Sequence, residues 1–219
     1  MKSISGGSTT RGILIGLVLF ICFFGYARAQ TPSAETKYRN IQILKGVPAK
    51  KVIPIMKAFN RALGVECMAC HVQDDWPNES KPQFGIARNM FKMVKTLNEN
   101  QLARIGEVGC WTCHAGQTSP SRLPRPLLDA ELAKWPEELG SSAQSLKLTM
   151  SVYNVTLHVG CDYCHKRTDW KSSEKAPYKM VARMNSMFKV FPQFMPATAR
   201  TQCWMCHKGS TEPKRRKPF

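Results

Sequence analysis

Residues 67–71 read CMACH: two cysteines two residues apart, with a histidine directly behind the second. Alone, this stretch suits half of a zinc site, a redox dithiol or a haem anchor. Three further copies decide between them: CWTCH at 110–114, CDYCH at 161–165 and CWMCH at 203–207. Together the four use all the cysteines but Cys22 and all the histidines but His158. Disulfide frameworks have irregular spacings and no histidine attached to each pair. Zinc would draw on Cys-x-x-Cys pairs two per metal. Four identical units ending in histidine are instead the pattern of c-type haem attachment.

The chemistry explains the spacing. Two thiols held on one turn add across the two vinyl groups of a porphyrin. The adjacent histidine then falls beneath the ring and gives its nitrogen to iron. This reading makes Cys67/Cys70, Cys110/Cys113, Cys161/Cys164 and Cys203/Cys206 thioether anchors. His71, His114, His165 and His207 become the proximal ligands of four c-type haems. Much of the core is then cofactor, stapling a chain of about 190 mature residues that would otherwise pack weakly.

The N-terminus reads as a secretory signal over residues 1–29. Lys2 and Arg11 precede the apolar run ILIGLVLFICFFGYA (13–27), and Ala27-Arg28-Ala29 offers a cleavage site before Gln30. The run is short beside the roughly 20 residues of a membrane span. Export to the periplasm or cell exterior is the expectation, with an uncleaved membrane anchor as its alternative. Cys22 falls inside the discarded segment.

The motifs are unevenly spaced. Their first cysteines lie 43, 51 and 42 residues apart, which suggests two di-haem units rather than four single ones. CHVQDDW (70–76) matches CHKRTDW (164–170), and Phe84 and Tyr178 each follow 13 residues after their histidine. Motifs two and four both begin Cys-Trp and continue to a glycine, Gly116 and Gly209. The units are read as 30–118 and 144–210, joined by a linker at 119–143 and followed by a basic tail at 211–219. SPSRLPRPLLDAELAKWPEELGSS (119–142) is rich in Pro and Ser, a surface connection with room for one helical turn.

Helical periodicity precedes each odd motif. Val52, Ile55, Met56, Phe59 and Leu63 define one helix face, and Leu146, Met150, Tyr153 and Leu157 another. A second helix follows each odd motif, GIARNMFKMVKTLNE (85–99) and PYKMVARMNSMFKVF (177–191), both with a Met-x-x-Met pair. The expected fold is mostly α: two pseudo-symmetric, haem-stapled di-haem units with little or no β.

His158 is the single spare histidine, so four bis-histidine irons are impossible within this chain. Met56 and Met150 each lie 11 residues before the first cysteine of an odd motif, which makes them distal-ligand candidates. For the even motifs Met90 and Met184 are preferred, 20 and 19 residues before Cys110 and Cys203, with Met93 and Met187 as alternates. His158 has three readings: ligand of the fourth haem, ligand in a neighbouring molecule, or a packing residue.

The order helix-Met, Cys-x-x-Cys-His, Ala-Arg-containing Met helix, Cys-x-x-Cys-His, repeated once, resembles the tetrahaem cytochrome c subunit of photosynthetic reaction centres. So do NIQILKGVPA (40–49), LGVEC (63–67) and ARNMFKMVKTLN (87–98), and the likeness spans roughly 40–118 and 145–209. The resemblance implies an all-helical pseudo-two-fold pair of di-haem units and a row of four haems. Such a row relays electrons from soluble donors to the special pair. It also implies three methionine ligands and one histidine shortly before the second motif. Here that segment, NENQLARIGEVGC (98–110), holds no histidine, which leaves Met184 or His158 for the fourth haem. The chain is shorter than typical subunits of that family and fits a free-standing relative equally well.

Formal charge is +17. Loss of the signal removes three positive charges, and eight ionised propionates would leave about +6. The tail KRRK (214–217) carries part of the excess. This balance points to redox partners with acidic docking surfaces or to anionic lipid, and an exported chain makes nucleic acid an unsuitable partner. The leading function is electron transfer, with no catalytic residues, since irons capped on both faces have no substrate site. A reaction centre or a related membrane complex is the candidate acceptor. Alternatives are a haem-stacked filament of subunits and a multihaem reductase with one open iron.

Overall fold

The computed structural model describes residues 31–213, apart from 104, 137–142, 197–198 and 200. The expected signal segment with Cys22 and the KRRK tail lie outside the described residues. Helices α1 (Ala34–Lys37), α2 (Val52–Leu63), α3 (Pro82–Glu99), α4 (Cys110–His114) and α5 (Arg125–Leu132) come first along the chain. They are followed by α6 (Gln144–Leu157), α7 (Cys161–Cys164), α8 (Ala176–Ser186) and α9 (Trp204–His207). Among the described residues the only β pairing is isolated bridges, two of them in matched turns, Val72 with Asp75 and Lys166 with Asp169. The mostly helical expectation holds.

Each long helix has a local reason to start and stop. Pro82 opens α3 at a position where its missing N–H costs nothing. Helix α2 ends at Gly64, whose φ of 66° lets its N–H return to the Asn60 carbonyl at 2.8 Å. Helix α6 ends the same way at His158, with φ 54°. Here a non-glycine residue takes the left-handed cap at a steric cost of roughly 1–2 kcal/mol.

Two departures from the sequence reading have physical causes. The helix expected over 177–191 stops at Ser186 and tightens into 3₁₀ turns at Met187–Lys189 and Phe191–Gln193. Pro192 cannot donate to a continuing helix and disfavours helical geometry at Phe191. The connector holds an eight-residue helix, α5, where one turn was expected. It is not a free surface strand: Trp135 Nε1 donates to Ser151 Oγ (2.9 Å), and Asn154 Nδ2 donates to Glu131 Oε1 (2.9 Å). Both bonds tie it to α6, and Ser151 is wholly buried.

The apolar interior is thin and split. One cluster gathers Ala34, Leu44 and Val52, bordered by Ile55, Met56 and Phe91. The other gathers Met93, Leu97, Leu102 and Val190, bordered by Met90, Met184, Met187 and Met195. Large apolar side chains meanwhile stay exposed, among them Ile53, Ile86, Leu146, Trp76 and Trp170. A chain this long ordinarily buries more of them.

Candidate haem-binding sites

The four pentapeptides form short helical turns, so each pair of cysteines projects from one turn. All eight motif cysteines are free thiols. Behind each pair, the histidine Nδ1 meets a backbone carbonyl: Trp76 (2.8 Å) for His71 and Trp170 (2.8 Å) for His165. Gln117 (2.9 Å) serves His114, and Ser210 (2.9 Å) serves His207. A carbonyl can only accept, so Nδ1 must carry the proton in all four rings. The lone pair therefore lies on Nε2, the tautomer a metal-ligating histidine needs, with its second-neighbour bond already made. Burial holds His114 and His207 below the ordinary imidazole range, keeping them neutral.

The odd sites share one architecture. The carbonyl acceptor stands five residues after the histidine in both. Phe84 packs edge-on against His71 (centroids 5.1 Å, 85°), and Tyr178 does the same to His165 (5.6 Å, 79°). Lys81 reaches the Met68 carbonyl and Lys175 the Asp162 carbonyl, each lysine bracing its motif turn from 13 residues away. Asn60 and Asn154, each seven residues upstream, direct their amides at Cys67 Sγ (3.3 Å) and Cys161 Sγ (3.7 Å).

At the even sites the acceptor stands three residues after the histidine. Each even motif is also pinned to the helix that precedes the odd motif of its own half. Gly116 N donates to the Ala62 carbonyl (2.8 Å) and Gly209 N to the Thr156 carbonyl (2.9 Å). The even motifs meet one another across the molecule. Cys113 Sγ and Cys206 Sγ are 2.7 Å apart, and Lys208 Nζ donates to the Cys113 carbonyl (3.3 Å). The shared sulfur contact eases the first ionisation, lowering Cys113, and holds Cys206 well above the ordinary thiol range. Burial raises Cys70, Cys110, Cys164 and Cys203.

The methionine candidates divide by environment. Met56 is half-buried beside Val52, Ile55 and Phe91, and Met150 is half-buried on α6. Met90, Met93, Met184 and Met187 all come together in one cluster where α3 meets α8 and the turns after it. Met93 is its buried centre at 8% exposure, and the other three border it. His158 is exposed at the end of α6.

Sequence reading overlooked several supports. Asn60/Asn154 and Lys81/Lys175 stand at matched offsets from their motifs, a signal that was present in the repeat. Met195, eight residues before Cys203, joins the methionine cluster without a repeat to mark it. Arg88 was read only as part of a motif. It is buried, pairs with Glu79 (2.6 Å), donates to the Asn40 carbonyl (3.1 Å) and lies 4.5 Å over the Phe84 ring. It thereby fixes the ring that packs on His71.

Paired thiols on one turn, backed by an imidazole whose Nε2 is free, fit c-type haem. Residues 24–130 match the protein family described as the photosynthetic reaction centre cytochrome C subunit, which bears out the resemblance drawn from the motifs. Over 93 residues the chain is 30% identical to the photosynthetic reaction center cytochrome c subunit of Thermochromatium tepidum, covering 41% of this chain and 23% of that protein. It is 31% identical over 90 residues to cytochrome c-554 of Chloroflexus aurantiacus, covering 38% and 21%. The photosynthetic reaction center cytochrome c subunit of Roseobacter denitrificans is 29% identical over 100 residues, covering 41% and 27%. The matched stretch therefore spans about a quarter of each relative's length. No helix among the described residues is long and apolar enough to cross a membrane.

Proposed function

We propose that this chain is an exported tetrahaem cytochrome that relays electrons along a row of four haems between redox partners. The observation that carries it is the fourfold recurrence of one donor set: two free thiols, then an imidazole whose Nδ1–H donates to a fixed carbonyl. Bound haem supplies one-electron chemistry, which needs no substrate site. The protein's part is to hold, cap and shield. The four carbonyls fix each imidazole's tautomer and direction, and the Asn60 and Asn154 amides orient the first thiol of each odd pair.

Contact between Cys113 and Cys206 supports an order in which motifs two and four are the inner pair and motifs one and three the outer. Met56 and Met150 are the distal ligands of the odd sites. At the even sites Met90 and Met184 are favoured over Met93, whose thioether is committed to the buried centre of the cluster. The repeated architecture of each half supports two di-haem units. The soluble or membrane-bound partners include a photosynthetic reaction centre by analogy with the relatives named above.

Mass spectrometry after acid–acetone extraction is expected to find four retained haems on a chain beginning near Gln30. Fewer haems would sink the attachment argument, and an intact N-terminus would favour the membrane-anchored alternative. Failure of the reduced protein to bind carbon monoxide would separate a capped relay from a reductase.

The fourth site has its own test. Met184 borders the methionine cluster, whereas His158 is exposed at a helix cap, and this contrast favours the thioether. EPR of the oxidised protein should be unchanged by His158→Ala. Loss of a bis-histidine signal with a new high-spin haem would hand the site to His158.

A further inference from the structure

The two outer motifs carry matched loops of opposite charge. In both, the histidine is followed by a bridged turn, a tryptophan whose carbonyl accepts the Nδ1–H hydrogen bond, and a bracing lysine. Both tryptophans are about half exposed, and both rings lean on the proximal imidazole, Trp76 at 5.6 Å and Trp170 at 6.0 Å. The decoration differs. VQDDWPNESK (72–81) holds Asp74, Asp75 and Glu79 against Lys81. KRTDWKSSEK (166–175) holds Lys166, Arg167, Lys171 and Lys175 against Asp169 and Glu174, with Lys179 just beyond.

Internal pairing leaves this contrast in place. At the first loop Arg88 takes up Glu79, so exposed Asp74 and Asp75 set the sign. At the third, Lys166 pairs with Glu174, and Arg167 pairs with Asp162 at 2.9 Å. Lys171 and Lys179 remain exposed, with no carboxylate at ion-pair distance among the described residues. The exposed charge left unpaired in the loop that carries Trp170 is thus cationic, and in the loop that carries Trp76 it is anionic.

We propose that the loop from His165 to Lys179 is the docking face for an acidic redox protein, and that the His71 loop repels the same partner. The inference rests on the tetrahaem reading, because it needs an iron on His165. A protein that lays acidic side chains on Lys171 and Lys179 seats its own centre against the indole. A haem held by Cys161, Cys164 and His165 would supply the one-electron exchange with the partner's centre, one gaining what the other loses, while Lys171 and Lys179 hold the partner in place. Opposite charge raises the encounter rate, by 10 to 10³ fold in favourable clefts, and like charge on the His71 loop suppresses docking there. The carboxylates of Asp162, Asp169 and Glu174 pattern the face. Such alternation selects a structured protein surface over the uniform charge of a lipid headgroup layer.

The test uses the full haem-loaded protein and stopped-flow reduction by photoreduced flavodoxin, an acidic flavoprotein, with the methyl viologen radical cation as a small control. The flavodoxin rate should fall steeply with added salt. Lys171→Glu combined with Lys179→Glu should slow it at least tenfold at low salt and flatten the salt dependence, leaving the viologen rate unchanged. Asp74→Asn with Asp75→Asn should change the flavodoxin rate less than twofold. An unaltered rate and salt slope in the lysine variant, or a larger effect from the aspartate pair, overturns the proposal. So does a lysine variant that loses binding only to phosphatidylglycerol vesicles, which would make the face a lipid surface. A pyridine haemochrome count of four in the parent and both variants keeps the tetrahaem reading. A lower count in the parent is a failure of that reading and leaves the kinetic result to judge the docking face alone.

Discussion

Gly64→Ala is expected to destabilise the haem-loaded protein by about 3–4 kcal/mol. A Cβ at this position would stand 2.1 Å from the Gly116 carbonyl oxygen, far inside contact distance. The neighbour is backbone, so nothing swings aside. Relief requires the end of α2 to part from the second motif, at a cost of roughly 1–3 kcal/mol for overpacking. The φ of 66° adds roughly 1–2 kcal/mol for any residue with a Cβ. Parting also threatens the 2.8 Å bond from Gly116 N to Ala62 O that holds the motif to the helix. The second half supplies an internal control. His158 already carries a Cβ at φ 54°, and Gly209 N still reaches the Thr156 carbonyl at 2.9 Å. His158→Gly should therefore stabilise by about 0.5–1 kcal/mol, through relief of left-handed strain. Denaturant midpoints of the two variants, with visible absorption and circular dichroism read together, check both signs. An unchanged midpoint in Gly64→Ala would mean that α2 and the second motif do not approach so closely.

Met56→Ala and Met150→Ala should each lower the midpoint potential of one haem on the order of 0.1 V, within the roughly 0.8 V that axial ligands command. A thioether favours ferrous iron, so its loss leaves a weaker or open site that is harder to reduce. Met56 also packs against Val52, Ile55 and Phe91, so stability alone cannot tell ligand from core. Truncating a core methionine costs about 2–5 kcal/mol with no reason for a potential to move. Redox titration followed at the red charge-transfer band separates the two. A destabilised protein with an unmoved titration and an intact band would return both methionines to the core.

Spacing made the paired-cysteine turns and the helices readable, because a motif turn and helical periodicity are local. The histidine tautomers follow from carbonyls three or five residues away, also local, and the Trp76/Trp170 match hinted at them. Contacts across the two halves were not readable. Nothing in the Met-x-x-Met pairs says that α3 and α8 bring them into one cluster, or that Val190 and Leu102 share it. Nor does the connector's composition reveal that Trp135 and Glu131 dock on α6. Proline and serine mark a turn, but docking depends on what the opposite helix presents. His158 shows the limit most plainly. Its nearness to Cys161 drew ligand and packing readings alike, and none of them foresaw its place as a helix cap, the role glycine fills in the other half.

The Cys113–Cys206 contact also bears on how such a protein matures. These sulfurs touch although 93 positions separate them, so the seam exists only once the halves have come together. Once it has closed, each of these half-buried sulfurs lies against the other. In the tetrahaem reading the two inner anchors are therefore neighbours, and the seam is expected to close after haem has been attached to them.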